Sequence, residues 1–490
     1  MKKKILKSLT LFLLIVMLST SIISMVSLLY NPNPSLESKT LEPDDWIKWS
    51  SINGTYVARG VARSNDGYLY VVGYCDHEGT GDTDIFVRKF DANLNSIWTR
   101  FLGYSTGDDQ GEDIAIDLEG NIIIVGTTQS FGLGTTYQLL IAKYSPTGVL
   151  LKNVTRSGNG HEVLWAVDVG PDNRYYSCGD IHYTGPAAPD DYDALYVIWN
   201  DDLSIDVEGS WLNGPLGTDR AYDIKATADS GFVIVGETES TGAGAYDGFI
   251  ALYEYLGILV ANETWGGSGM ERFDGLVLTE ESHFKAYVAA WTNTGLSGSY
   301  DASIVHYNST IDIQWNVTYG DPLEHDIYFD ICFSSDDYLY AAGYADDASS
   351  TDVLFVKYDT AGNFIDDGFW GGNTVQDAGY GLIGGSNKEI YVCGGCDYPD
   401  YTPPFREQAF LLKGFGLGPV NTTTPITSTP ITSPNVTTTP TTPSNVTTTP
   451  TTTSNDTTQS FPFSGFTFTG LFASVFSVTA IIITIKRKKR

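Results

Sequence analysis

The residues in this chain best suited to chemistry are acids and histidines that fall between short apolar runs. Asp109, Glu162, Asp219, Asp326 and Asp377 each stand just ahead of such a run, at matching places in the chain. Carboxylates converging on one axis would form a partial ring suited to Ca²⁺ or another hard cation, which favours oxygen ligands. A carboxylate repeated at one place also caps turns by accepting nearby backbone N–H groups, so a structural role stands beside the ligand role. Asp84, Asp193, Asp247, Asp301 and Asp352 recur in the same way and fit the capping role. His77, His161, His182 and His325 could hold a transition metal or act as general bases. Their spacing is irregular and matches no H-E-x-x-H-type motif, which leaves solvated loop histidines as the alternative.

Those residues need a scaffold, and the scaffold is repetitive. A short apolar run ending in a small residue recurs seven times, at Gly73, Gly126, Gly179, Gly236, Ala290, Gly343 and Gly394, every 51 to 57 residues. A second marker keeps the same register, at Asp84, Gln138, Asp193, Asp247, Asp301, Asp352 and Gln408. Each unit reads as four short strands rich in Val, Ile, Tyr and Trp, separated by Gly, Asp, Asn and Pro. No sustained helical period interrupts them. A four-stranded sheet with two apolar faces cannot stand alone, so the units must stack around an axis. The expected fold is all-β, a seven-bladed propeller of four-stranded antiparallel blades over residues 44–418. The seventh unit lacks a fourth strand, while Trp49 lies as far before Gly54 as Trp98 lies before Gly103. Asp44 to Asn53 is therefore expected to supply the outer strand of the last blade and close the ring. The five acids and four histidines would then share one face, the histidines coming from four different blades.

Units such as "QGEDIAIDLEGNIIIVGTT" and "DVLFVKYDTAGNF" resemble the bacterial and archaeal seven-bladed β-propeller (SBBP) repeat over roughly residues 45 to 418. The third unit departs from the pattern by lacking the turn glycine, and the fifth by a longer turn. The resemblance implies a secreted or cell-surface propeller and brings no catalytic residues.

The two ends differ from the repeats. Lys2, Lys3, Lys4 and Lys7 precede an apolar run to Leu29, so residues 1–30 have the layout of a secretory signal or an uncleaved anchor. Residues 419–460 are almost wholly Thr, Pro, Ser and Asn, an extended stalk with nothing to bury. Residues 461–485 carry no charge and precede a basic tail at 486–490, the layout of a C-terminal transmembrane helix with a cytoplasmic end. This places the propeller outside the cell, anchored to the membrane. Residues 1–30 and 461–490 hold nine of the 28 basic residues and none of the 59 acids, so the part between them is strongly acidic. Such a surface repels phosphate backbones and excludes nucleic acid as a partner. Sequons for N-glycosylation stand at Asn53, Asn153, Asn262, Asn308 and Asn316, and in the stalk at Asn421, Asn435, Asn445 and Asn455. Five cysteines include the pair Cys393 and Cys396. Their repeat positions suit buried thiols, and a disulfide between those two is the alternative.

No cofactor motif is present. The function expected is a non-catalytic binding, adhesion or cell-envelope module with an extracellular protein or glycan ligand. The alternative is an extracellular polysaccharide lyase or hydrolase using the acids and histidines of one face. A quinone-dependent dehydrogenase is a third reading, with no separate cofactor motif behind it.

Overall fold

In the second repeat, Ile122–Thr128 and Gln138–Tyr144 are buried along their whole length, whereas Leu150–Arg156 is exposed or half-buried throughout. Strands buried on both faces need a neighbouring sheet on each side, and seven sheets arranged in a ring supply it. The computed structural model describes residues 45–49 and 55–415, except 77–80, 104–105, 132–135, 157–159, 186–187, 212–216, 280–282, 295–298, 321–323, 347–349, 372–375, 386–387 and 398–406. The N-terminal segment, the stalk, the apolar span and the basic tail lie outside the described residues. Among those described, no helix is long and apolar enough to cross a membrane.

The described chain forms seven four-stranded antiparallel sheets, each running from an innermost strand to an outermost one. The innermost strands are Tyr56–Arg63, Asp109–Ile116, Glu162–Val169, Asp219–Ala226, Glu271–Leu278, Asp326–Phe333 and Asp377–Gly384. The core lies between blades: Tyr176, Cys178 and Tyr196 of the third pack against Ile224, Phe232 and Phe249 of the fourth. Such shared layers explain the two-sided apolar strands. All five cysteines are buried and free, the first of the two sequence expectations. In the third unit, Asn173 takes at φ 61° the left-handed conformation that Gly67 and Gly120 take in the first two and Ser230, Asp337 and Lys388 take in later ones. Asn tolerates that region better than most residues.

The seam closes as expected, with one change of register. Asp45–Trp49 pairs with Glu407–Phe415 and completes the last blade. Trp49 stands opposite Ala409, the place that Leu102, Trp265 and Trp370 take in their blades, while Trp98 lies four residues earlier, opposite Lys89. Equal distance to the next glycine therefore misaligned Trp49 with Trp98. The apolar demand of the junction decides the register: Trp49 packs with Phe86 and Phe90 of the first blade and with Ala409 and Leu411 of the seventh.

Candidate functional site

In all seven innermost strands the ladder slips by one residue, as between Ala58 and Gly60 or between Ala221 and Asp223. The residue inside each slip is one more than the second strand has to match it, and a bulge of this kind re-aims its side chain. Opposite each slip lies the small residue that marks the repeat. A Cβ on Gly236 would lie 1.8 Å from the Arg220 carbonyl oxygen, so the marker is glycine because backbone crowds it there.

The re-aimed residues are Arg59, Glu112, Trp165, Tyr222, Asp274, Phe329 and Tyr380. All seven line one axial cavity of about 580 Å³, within the usual range of small-molecule sites. Three arginines on its wall share one arrangement. Arg59 Nε lies 2.8 Å from Glu112, and its guanidinium lies over Tyr380 at 4.6 Å. Arg220 Nη1 is 3.0 Å from Glu237 and lies over Tyr192 at 4.3 Å. Arg272 Nη2 is 2.5 Å from Asp274 and lies over Tyr222 at 3.6 Å. Trp165 Nε1 donates to Asp180 at 2.6 Å, and Phe329 is flanked by Tyr344 and Tyr380. Burial pushes the carboxyls of Asp180 and Asp274 up to about 6, against the pull of Trp165 and Arg220 on the first and of Arg272 on the second.

Deeper in the channel, Asp113, Asp223 and Asp330 sit one residue after the bulge in the second, fourth and sixth blades. Each accepts the N–H of its own next residue through Oδ1, at 2.7 Å in every case. Each also accepts an N–H from the following blade through Oδ2: Val167 at 2.9 Å, and Leu276 and Leu382 at 2.7 Å. The intervening blades carry Gly60, Ala166, Gly275 and Gly381 at that position. A Cβ on Gly275 would come within 2.8 Å of the Asp330 Cα, so the ring alternates small residues with carboxylates for want of space. Lys225 Nζ lies 2.6 Å from Asp223, and the charges of Asp223, Asp168 and Asp113 hold its ammonium above the ordinary lysine range although burial opposes this. Burial pushes Asp113 and Asp330 up to about 7; Asp223 adds like charge and Lys225 pulls the other way.

The channel mouth lies at the end where the chain enters the innermost strands, since Tyr137, His161 and Tyr192 line the cavity from that end. The chain leaves the seventh blade at the other end. Phe415 pairs with Glu389, whereas Asp377 at the mouth side pairs with Cys396.

The five predicted acids do not form a ring on the axis. Asp109, Glu162, Asp219, Asp326 and Asp377 are buried where one blade meets the next and do not line the cavity. Asp109 accepts the Ser130 hydroxyl at 2.5 Å and that of Thr128, and burial raises its carboxyl. A Cβ on Gly103 would meet Asp84 at 1.9 Å and Asp109 at 2.7 Å, so the two repeated acids face one point across the junction. The same convergence recurs over Gly320 with Asp301 and Asp326, and over Gly371 with Asp352 and Asp377.

Among the described histidines, only His161 lines the cavity, beside Tyr137. His182 belongs to the same blade as His161, not to another, and stacks on Tyr192 at 4.5 Å. His325 Nδ1 accepts the Tyr300 N–H at 3.0 Å. His77 lies outside the described residues. Asn153, Asn262 and Asn316 occupy one position on three outermost strands, opposite Ala142, Ala251 and Val305. Asn308 lies in a turn, where its Oδ1 accepts the Thr310 and Asp312 N–H groups. Asn53 and the stalk sequons lie outside the described residues. Asp117, Glu119 and Asp201 bring ligand atoms within 4.8 Å of one another, but Lys143 Nζ is 3.1 Å from Asp117 and 2.6 Å from Asp201, so an internal cation serves that cluster.

The family described as SBBP, beta-propeller repeat, matches residues 97–132. Comparison with curated protein sequences finds no match. Among solved structures, the chain is similar to catalytically inactive virginiamycin B lyase from Staphylococcus aureus with quinupristin, at 11% identity and TM-score 0.44, over 75% of this chain and 99% of that one. It is also similar to polysaccharide lyase Uly1, at 8% identity and TM-score 0.47, over 76% and 100% of the two chains. The acylaminoacyl peptidase of Pyrococcus horikoshii is 9% identical at TM-score 0.41, over 72% of this chain and 52% of that one.

Proposed function

We propose that this SBBP-repeat propeller is a membrane-anchored extracellular binding module whose ligand enters the mouth of the axial channel. The observation that carries the reading is the bulge in every blade, which turns seven side chains into one concave, aromatic and polar cavity. A feature built seven times, with six different residue types at its tip, is a frame for recognition. The acidic exterior, the apolar C-terminal span and its basic tail support an outside address.

Two measurements test this. On intact cells carrying the full chain, an impermeant amine reagent is expected to label exposed propeller lysines such as Lys285 and to spare Lys488; the reverse pattern overturns the address. Solubilised cell-envelope polymers are expected to retain the full chain in micelles, and Trp165→Ala with Phe329→Ala to lose that retention. Retention unchanged by those substitutions overturns the channel as the site.

A second reading, an extracellular polysaccharide lyase or hydrolase, draws on Asp180 and Asp274, raised carboxyls in one cavity with His161. New reducing ends or unsaturated products that vanish with Asp180→Asn would favour it.

A further inference from the structure

Resting on the channel-mouth reading, we infer that the ligand class is a neutral glycan, held by its sugar faces against Trp165, Tyr222, Phe329 and Tyr380. The first argument is charge. The molecule is strongly acidic, with 59 acids against 28 basic residues, yet the cavity is lined by four cations and six acids. On the wall, each arginine is already answered by a buried carboxylate: the side chains of Glu112, Glu237 and Asp274 are 4%, 8% and 5% exposed, those of the arginines 27% or 28%. An anionic ligand would have to compete with these carboxylates for the guanidinium groups, and would first approach through a repelling exterior. A cationic ligand would meet the guanidinium groups first, because they are more exposed than the carboxylates that pair with them.

The second argument is shape and pattern. The guanidinium planes lie on tyrosine rings, so the wall offers flat apolar surface edged with N–H donors. Carboxylate oxygens stand at the same edges as acceptors. A hexose has the complementary make-up: C–H faces that cover aromatic rings, and hydroxyls around the rim that both donate and accept. Burying those hydroxyls requires partners for each, and mixed donor and acceptor pairs supply both kinds. A purely apolar ligand would leave the arginine–carboxylate edges without water or replacement.

The test is calorimetric titration of the full chain in micelles against three probe sets: neutral gluco-, manno- and N-acetylglucosamine oligosaccharides, uronate-containing oligosaccharides, and lysine-rich peptides. Binding of a neutral set is expected, weakened about tenfold or more by Trp165→Ala or Tyr222→Ala, as for a truncated aromatic anchor. Arg272→Lys, which keeps the charge and loses the planar stack on Tyr222, is expected to weaken it several-fold. Thermal unfolding of each variant within a few degrees of the parent separates lost contact from lost fold. Binding confined to uronates or to peptides, and abolished by Trp165→Ala, overturns the neutral-glycan class while the channel-mouth reading survives. Neutral-glycan binding indifferent to Trp165→Ala and Phe329→Ala overturns the site itself.

Discussion

At the scale of single residues, the channel floor is the place where one atom changes most. Lys225 is the cation among Asp113, Asp168 and Asp223, and those carboxylates already serve as acceptors for backbone N–H groups of the next blade. Lys225→Met is expected to cost about 1–3 kcal/mol, as read from urea unfolding; this is less than the roughly 3–5 kcal/mol for a fully buried pair, because the lysine side chain is 29% exposed. The carboxyls also set a pH dependence. Asp113 and Asp330 keep their protons up to about 7 in the folded chain, with Lys225, Asp223 and Asp168 as the charges around them. An unfolded Asp releases its proton near the ordinary value of 3.8. Between those limits the folded state binds more protons, so these two groups lower stability as pH rises from about 4 to about 7. Their contribution is full at the acid end and gone above neutrality. The unfolding midpoint is expected to be higher at pH 5 than at pH 8, and Asp113→Asn with Asp330→Asn to flatten the difference. A slope of opposite sign, attributable to the same two residues by substitution, would show that they are ionised throughout.

At the scale of elements, the bulge and the marker glycine form one device. Gly236→Ala would set a methyl 1.8 Å from the Arg220 carbonyl oxygen and shift the bulge that aims Tyr222. A loss of about 2–3 kcal/mol is expected, as for overpacking against backbone. Ala290→Gly in the fifth blade should change stability by about 1 kcal/mol or less, because there the same pairing already accommodates a Cβ opposite Phe273. Blade number and ring closure were legible in the sequence because both rest on spacing along the chain, which two markers repeat independently. The binding wall was not, because it depends on which residue the ladder skips. Arg59, Glu112 and Tyr222 stand at a constant interval before Gly73, Gly126 and Gly236, and that interval was the available signal. Asp109 and Asp377 drew attention instead because they repeat, and repetition here marks the shared chemistry of blade junctions. The register of Trp49 went wrong for a related reason: distance to a glycine measures loop length as well as strand position.

At the scale of the whole molecule, the short strand Asp45–Trp49 carries the closure. Trp49 is 8% exposed and packs with the first blade as well as the seventh, while Lys48 lies over Trp370 at 4.6 Å. Trp49→Ala is expected to cost about 3–5 kcal/mol, the usual range for emptying a buried Trp site. Limited proteolysis should then release the N-terminal strand before any cut inside the second to sixth blades. Cleavage that begins in those central blades would mean that the seam is not the weak joint.

The floor carries a consequence of plain arithmetic. Carboxylate and small residue alternate around the ring, from Gly60 through Asp113, Ala166, Asp223, Gly275 and Asp330 to Gly381. Two colours cannot alternate around an odd number of places, so one pair of like neighbours is unavoidable, and it falls on Gly381 and Gly60, whose Cα lies 3.2 Å from where a Cβ on Gly381 would stand. The mismatch therefore coincides with the junction between the seventh blade and the first, beside the strand pair that closes the ring. Duplicating two adjacent blades would carry the alternation forward and leave the mismatch in place. Adding one blade with Asp at this position, between the last and the first, would remove it and make the ring commensurate.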